Sequence, residues 1–307
     1  MRDVKSENEY KQISKYITEI SGIVIPPEKY YLIETRLYRL MLESGVETFD
    51  AFYKKVIQPG NPLISQKIIN AITVNETLWF RDAVLWKCFE RDILPGLIEQ
   101  LMSGKKAKIR IWSAAASTGQ EAYSIVMCID NYLKRNNIRD VTLTDFEILA
   151  TDISDRVLDI ATSGRYDKIS MTRGITDHYK AAYFKNHGSA WDIDPQIKSA
   201  VDFKCFNLKN SYTGFGMFDV IFCRYVLIYF PNELKSEIIL KMHDALNNDG
   251  VLFTGNYVLY NLLRDVFTAK EYGNLTYYIK SRPAEESVKD ELSPHKFVPP
   301  QAAEWSQ

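Results

Sequence analysis

The spacing of apolar residues over positions 1–72 predicts a helical region. Tyr10, Ile13 and Ile17 recur at intervals of three and four residues, which place side chains on one face of a helix. The Pro26–Pro27 pair is predicted to end this helix and to start the next one, over Glu28–Leu42. The first part of the chain is therefore expected to be all-α.

Two further helices complete this predicted N-terminal domain. Thr48 is a suitable N-cap for a helix that begins at Phe49, because its hydroxyl can accept a hydrogen bond from a free backbone N–H. A last helix is predicted over Ile64–Ile72. We place the domain boundary after residue 72.

From residue 73 onward, helical stretches alternate with short runs rich in Ile, Val and Phe. The predicted strands are Ile109–Trp112, Phe146–Ala150, Phe218–Cys223 and Val251–Thr254, with a turn at Asp249–Gly250 before the last. Alternation of strands and helices predicts a doubly wound, Rossmann-like α/β domain over residues 73–281. Such a domain binds ligands beyond the carboxyl ends of its strands.

The alternation is interrupted between about residues 166 and 206, where we predict a small β-subdomain insert. It contains a helix over His178–Phe184 and short strands near Trp191–Ile193 and Val201–Phe203. The segment 282–307 is rich in proline and poor in aliphatic residues, and it is predicted to be disordered.

Composition narrows the classes of function. The 307 residues include 38 basic and 39 acidic side chains, so no overall charge attracts nucleic acid or an anionic membrane. The four cysteines form no C-x-x-C pair, and no histidine stands at metal-ligand spacing from them, so no metal site is predicted. Without a secretory signal or a long apolar run, the chain is expected to be cytoplasmic.

The segment Ile111–Met127 reads as a strand, a turn of small residues and a helix start. Small side chains let a ligand approach the backbone, and the free N–H groups of a helix start favour an anion. Both Ser117-x-x-Gln120 and Thr118-x-x-Glu121 match a capping box. A well-capped packing turn explains the segment as well as a cofactor site does, and its single glycine disfavours a dinucleotide site.

Three other segments place polar residues where chemistry is plausible. Asp152 ends a strand, where its carboxylate can accept hydrogen bonds from two ribose hydroxyls or can cap the next helix. Arg224 ends an apolar strand, so it either pairs with a carboxylate or faces a cleft, and Tyr229 follows five residues later. Thr73–Asp82 interleaves polar and aromatic residues.

Together the four segments resemble the CheR family of chemotaxis receptor methyltransferases. The matching motifs are ETLWFRD, WSAAASTGQEAYS, ATDIS and CRYVLIYF, and the resemblance covers residue 10 to about residue 280. It implies an all-α N-terminal receptor-docking domain, followed by a methyltransferase domain that uses S-adenosylmethionine (SAM) and releases S-adenosylhomocysteine (SAH). It also implies a monomer that methylates glutamate side chains on cytoplasmic helices of chemoreceptors, without nucleic acid or membrane insertion.

The resemblance also implies the site residues. The positions that correspond to cofactor-binding residues are Asn75, Thr77, Arg81, Glu121, Asp152, Asn207, Leu208, Arg224 and Tyr225. Arg81 and Tyr229 match the positions beside the transferred methyl group and the incoming carboxylate. The nucleophile would need no general base, because a glutamate with a pKa near 4.3 is ionised roughly 500 to 1 at pH 7.

The chain departs from the family pattern at identifiable positions. Tyr225 stands where the family has asparagine, and the segment GNYVLY at 255–260 replaces a motif with a hydroxyl and a carboxylate. The predicted docking helix keeps Arg36 and Arg39 but is poorer in arginine. These departures motivate one alternative, a regulatory or sensor module that binds SAM or SAH with lost or altered activity. A second alternative is a methyltransferase for small molecules, although a small-molecule substrate does not require a docking domain.

Overall fold

The computed structural model describes residues 4–58, 62–255 and 266–281. The predicted disordered tail, 282–307, and most of the GNYVLY segment lie outside these residues. Along the described chain, an all-α N-terminal part precedes a mixed α/β part, as the sequence predicts.

The N-terminal part consists of helices that pack around a core of their own. They are α1 (Val4–Ser21), α2 (Tyr31–Glu43), α3 (Phe49–Val56) and α4 (Pro62–Ile72). Their apolar stripes converge on fully buried Ile13, Leu37 and Phe52. Thr48 caps α3 as predicted, since its side chain accepts a hydrogen bond from the N–H of Ala51.

Helix α1 ends earlier than predicted. Its last residue is Ser21, because Gly22 adopts a φ of 81°, a conformation that stops a helix and favours glycine. A Cβ atom at Gly22 would lie 2.6 Å from a methyl carbon of Leu234, in the α/β part. The Pro26–Pro27 pair therefore starts the following 3₁₀ turn but does not end α1.

Among the described residues, a seven-stranded sheet forms the centre of the α/β part, in the order β6-β2-β1-β7-β8-β10-β9. The strands are β1 (Ile109–Ala114), β2 (Phe146–Asp152), β6 (Val201–Cys205), β7 (Phe218–Cys223), β8 (Leu246–Phe253), β9 (Phe267–Tyr272) and β10 (Leu275–Lys280). The first five in spatial order are parallel, and β10 runs antiparallel to both of its neighbours. The strand order reverses between β1 and β7, which makes that point the expected ligand site.

Helices cover both faces of this sheet. On one face lie α5 (Ala83–Cys88), a π-helical turn (Phe89–Ile93), α6 (Leu94–Met102) and α7 (Gln120–Arg135), and on the other lies α11 (Asn232–Asp244). The α8 helix (Asp155–Ser163) connects β2 to the insert. Neighbouring residues of β1 lie on opposite faces of the sheet, since Ile111 packs in the core with α7 and Trp112 packs in the core with α11. The doubly wound prediction is confirmed.

The insert forms a three-stranded antiparallel sheet in the order β3-β5-β4. Its elements are β3 (Arg165–Asp167), α9 (Asp177–Tyr183), β4 (Phe184–Asn186), β5 (Ala190–Ile193) and α10 (Pro195–Ser199). The predicted strand near Val201–Phe203 does not belong to this sheet, because it extends to Cys205 as β6 and pairs with β2 in the central sheet. A chain leaving α10 lies beside the exposed edge of β2, and pairing there satisfies backbone groups that would otherwise lack partners.

The predicted turn at Asp249–Gly250 is also wrong. Both residues lie within β8, where Asp249 has a φ of 60°. The pairing register with β7 shifts between Phe218 and Val220, so the extra residues form a bulge in a continuous strand.

Candidate active site

A cavity of about 280 Å³ opens at the carboxyl ends of β1, β2 and β7. Each of the ten residues singled out in the sequence lines it: Asn75, Thr77, Arg81, Glu121, Asp152, Asn207, Leu208, Arg224, Tyr225 and Tyr229. Residues separated by up to 154 positions thus meet at the point where the strand order reverses. What each residue binds remains a prediction.

The turn between β1 and α7 forms one wall of the cavity. Ala115 and Ser117 both adopt positive φ angles, 65° and 51°, which produce a tight turn immediately before α7. Gly119 has a φ of 92°, and a Cβ atom there would lie 2.9 Å from the side chain of Ala161. A side chain at position 119 would therefore clash, while the small residues Ala115 and Ser117 form the part of the turn that lines the cavity.

The predicted capping boxes do not form. Gly119 occupies the N-cap position of α7, and no side-chain hydrogen bond caps the helix. The left-handed conformation of Ser117 directs its hydroxyl to the carbonyl of Asn75, at 2.9 Å. Glu121 instead accepts a hydrogen bond from the Ser113 hydroxyl at 2.8 Å and pairs with Arg224.

Asp152 lies at the end of β2, and its side chain is almost entirely buried. One carboxylate oxygen accepts the N–H of Ser117 at 2.9 Å, and the other accepts the N–H of Ser154 at 3.0 Å. Burial raises the pKa of Asp152, against the opposing effect of these backbone hydrogen bonds. Each oxygen retains a second lone pair, so the carboxylate can still accept hydrogen bonds from a ligand.

Arg224 is the centre of a buried ionic network, and its side chain is only 2% exposed. Its guanidinium donates to Glu121 at 2.8 Å, to Asp82 at 2.6 Å and to the carbonyl of Arg81 at 2.7 Å. Burial by itself would lower the pKa of Arg224, but the charges of Glu121 and Asp82 outweigh burial and raise it. Both interpretations of the sequence therefore hold, since Arg224 pairs with carboxylates and also lines the cavity.

Arg81 lies on a strained loop at the mouth of the cavity. Its neighbours Phe80 and Asp82 have positive φ angles of 46° and 64°. Its guanidinium carbon lies 3.6 Å from the centre of the Tyr225 ring. Tyr229, in the short turn after β7, is half-buried, and burial raises the pKa of its hydroxyl while the charge of Arg81 lowers it.

The N-terminal helices contribute to the same cavity, through Ser21 and Ile23 at the end of α1. The side chain of Asn207 donates to the carbonyl of Ile20 at 3.0 Å, and the N–H of Val24 donates to the carbonyl of Tyr229 at 3.0 Å. Asn207 therefore holds the two parts of the chain together in addition to lining the cavity. Sequence reasoning gave α1 no place at the site.

Asp82, Ser113 and Ser117 also take part in the contacts of the site, although the sequence did not indicate this role. Asp82 accepts hydrogen bonds from both Arg224 and Tyr225, although it is separated from them by more than 140 positions. Ser113 and Ser117 lie within the recognised turn motif, but their polar contacts depend on the folded turn. No local spacing could have indicated any of these contacts.

Two polar atoms on the cavity wall lack a partner among the described residues. They are the Nε of Arg224 and the hydroxyl of Thr73, both buried. A buried donor without a partner costs about 1–3 kcal/mol, so such atoms indicate a ligand that completes their hydrogen bonds. Acidic side chains on the wall outnumber basic ones, three (Glu76, Glu121, Asp152) to two (Arg81, Arg224). Glu121 pairs with Arg224 and Glu76 pairs with Arg173, which leaves Asp152 and Arg81 as the charged side chains of the wall without an ion-pair partner among the described residues. The wall therefore suits a polar ligand that carries both signs of charge.

Within the described residues, no cluster of histidine, cysteine and acidic side chains is arranged to hold a metal ion. None of the helices described is both long and apolar enough to cross a bilayer.

Two family profiles cover most of the chain. The profile described as the all-alpha domain of CheR methyltransferase matches residues 8–73, and the one described as the SAM binding domain of CheR methyltransferase matches residues 75–269. A chemotaxis protein methyltransferase of Pseudomonas putida is 34% identical over 84% of this chain and 92% of its own length.

Other named relatives agree. A chemotaxis protein methyltransferase of Pseudomonas aeruginosa is 38% identical over 81% of this chain and 89% of its own length. One from Listeria innocua is 28% identical, over 90% of this chain and 98% of its own length. The motifs, the fold, the cavity and these relatives agree: the chain belongs to the CheR family of SAM-dependent methyltransferases.

Proposed function

We propose that this protein transfers the methyl group of SAM to glutamate side chains of chemoreceptors, forming glutamyl methyl esters in chemotactic adaptation. The observation that carries the proposal is that Arg81 and Tyr229 share one cavity with Asp152 and the β1–α7 turn. The residues proposed to bind the substrate carboxylate and those proposed to bind the cofactor thus line the same cavity. The names of the relatives, chemotaxis protein methyltransferases, support the same substrate.

The residues present fit the cofactor. Asp152, at the end of its strand, accepts the ribose hydroxyls with the lone pairs that Ser117 and Ser154 leave free. The buried Nε of Arg224 donates to a cofactor acceptor, and the wall carries no excess of basic side chains that would repel a sulfonium. When bound, SAM supplies an activated methyl group on a positively charged sulfur, and its leaving group is neutral.

Arg81 and Tyr229 bind and orient the substrate carboxylate. A guanidinium can hold a carboxylate by two hydrogen bonds, which fixes both its position and its plane. A tyrosine hydroxyl is protonated at neutral pH, and burial raises the pKa of Tyr229 further, so this hydroxyl can donate a hydrogen bond to the same carboxylate. No base is required, since the substrate glutamate is already ionised. The chain contributes alignment and exclusion of water.

The N-terminal domain, residues 1–72, is proposed to dock the receptor. The structure limits the positive charge that α2 can offer, because Arg36 donates to the carbonyl of Ile72 at 2.7 Å and Arg39 pairs with Glu43 at 2.7 Å. Arg39 is 90% exposed and can exchange Glu43 for an acidic partner at little cost.

The test uses SAM labelled in its methyl group and a receptor cytoplasmic fragment. We expect base-labile label on the receptor with the wild-type protein, and almost none when the receptor glutamates are replaced by alanine. SAH binding without label transfer would instead support a regulatory module. Label on small molecules alone would support the small-molecule alternative.

A further inference from the structure

The guanidinium of Arg81 lies over an aromatic ring. Its central carbon is 3.6 Å from the centre of the Tyr225 ring, which is stacking distance. Among the described contacts, its hydrogen bond to the carbonyl of Glu76 is long, at 3.4 Å. Tyr225 is therefore the closest constraint on where this charge lies in the cavity.

The ring of Tyr225 is itself fixed. Its hydroxyl donates to Asp82 at 2.6 Å, and the same carboxylate oxygen accepts a hydrogen bond from Arg224 at 2.6 Å. Gly255 also lies close to the ring, since an added Cβ atom there would stand 3.3 Å from two ring carbons. The hydrogen bond to Asp82 and the contact with Gly255 thus favour the orientation in which the Tyr225 ring meets Arg81.

The backbone of Arg81 is held as firmly. Its carbonyl accepts hydrogen bonds from the indole of Trp86 at 2.9 Å and from Arg224 at 2.7 Å. Backbone and side chain of Arg81 therefore both depend on residues 224 and 225, at the end of β7.

We propose that Tyr225 is a positioning residue for methyl transfer: its ring, locked by Asp82, holds the Arg81 guanidinium in the place where it grips the substrate carboxylate. The proposal rests on the function proposed above. It assigns a role to a residue whose φ of 58° is strained for a tyrosine and would suit asparagine or glycine better.

The test compares Tyr225→Phe, which keeps the ring, with Tyr225→Leu, which keeps the bulk but removes the aromatic face. Y225F keeps the ring but loses the hydrogen bond to Asp82, so we expect it to lose kcat by about twofold to threefold. We expect Y225L, which also loses the aromatic face, to lose kcat by about fivefold to thirtyfold, the change that about 1–2 kcal/mol produces. The KM for the receptor fragment should rise less than kcat falls, because the stack aligns a charge and does not form the docking surface.

A second readout requires no activity. In NMR spectra of the guanidinium N–H groups, the Arg81 signal should be shifted upfield by the ring in wild type and Y225F, and not in Y225L. The signal is assigned by its loss in Arg81→Lys, and exposed Arg39 serves as the unshifted reference. If Y225L does not fold, the wild-type and Y225F spectra still decide the question.

Full kcat in Y225L, equal losses in Y225L and Y225F, or an unshifted Arg81 signal in wild type would each overturn the proposal. A wild-type protein that transfers no methyl group refutes the proposed function, whereas the NMR shift still tests the stack by itself.

Discussion

Removing Arg224 should destabilise the fold far more than removing a surface arginine. Arg224→Met deletes a side chain that is 2% exposed and leaves the carboxylates of Glu121 and Asp82, 12% and 23% exposed, without their cation. Stranding a buried charge in this way costs about 3–5 kcal/mol. Burying the methionine offsets little, because the carboxylates must either take up protons or draw in water.

The assay is urea unfolding, followed by both tryptophan fluorescence and circular dichroism. We expect R224M to lose about 3–5 kcal/mol in free energy of unfolding, whereas R224M combined with Glu121→Gln should recover a measurable part. The matched control is Arg39→Met, which removes an ion pair whose side chains are 90% and 50% exposed and should cost about 0.5 kcal/mol or less. If R224M were as stable as R39M, the network would not hold the site together as argued.

Three further predictions concern the cavity. Arg81→Ala should lower kcat/KM for methyl transfer about 10²-fold through lost alignment, whereas Arg156→Ala, an exposed arginine of α8, should leave it unchanged. SAH affinity, measured by calorimetry, should fall as the pH drops through the pKa of Asp152, because the protonated carboxyl loses hydrogen-bond acceptors. Since this pKa is raised, the fall should occur at a higher pH than for an ordinary aspartate, and Asp152→Asn should abolish the pH dependence. Gly174→Ala should reduce both stability and activity, because its Cβ atom would lie 1.9 Å from the carbonyl oxygen of Trp79, on the loop that carries Arg81. The control is Gly104→Ala, whose Cβ atom would meet no atom within 4 Å and which should therefore have a smaller effect.

The sequence predicted the frame of the site because its signals are local. The run Phe218–Cys223 is apolar throughout, and all six residues are buried as a central parallel strand. Asp152 lies at the end of β2, and this position could be predicted from the sequence because a carboxylate directly after a run of apolar residues indicates the end of a buried strand. Arg81 and Tyr229 were assigned to the site by the resemblance to the CheR family, and both line the same cavity.

The missed features depend on tertiary contacts. Asp82 acquires its role only when β7 brings Arg224 and Tyr225 beside it. The Asp249–Gly250 pair is typical of a turn, yet pairing with β7 keeps it within a bulged strand. Similarly, the Val201–Cys205 segment could be assigned to the central sheet only by knowing that an edge of β2 was available.

The position of α1 gives the N-terminal domain a second role. Ser21 and Ile23 form part of the cavity wall, and the hydrogen bond between Val24 and Tyr229 connects this wall to a proposed catalytic residue. A receptor that docks on the helical domain thus lies close to the proposed methyl acceptor site. If the N-terminal domain docks the receptor as proposed, docking and alignment are parts of one arrangement.

The most direct test of this account is a crystal structure of the protein with SAH. We predict that the ribose hydroxyls bind the Asp152 carboxylate, that the Nε of Arg224 acquires a ligand partner, and that the sulfur faces the Arg81 and Tyr229 end of the cavity. SAH bound elsewhere, or in this cavity with its sulfur directed away from Arg81 and Tyr229, would contradict the account.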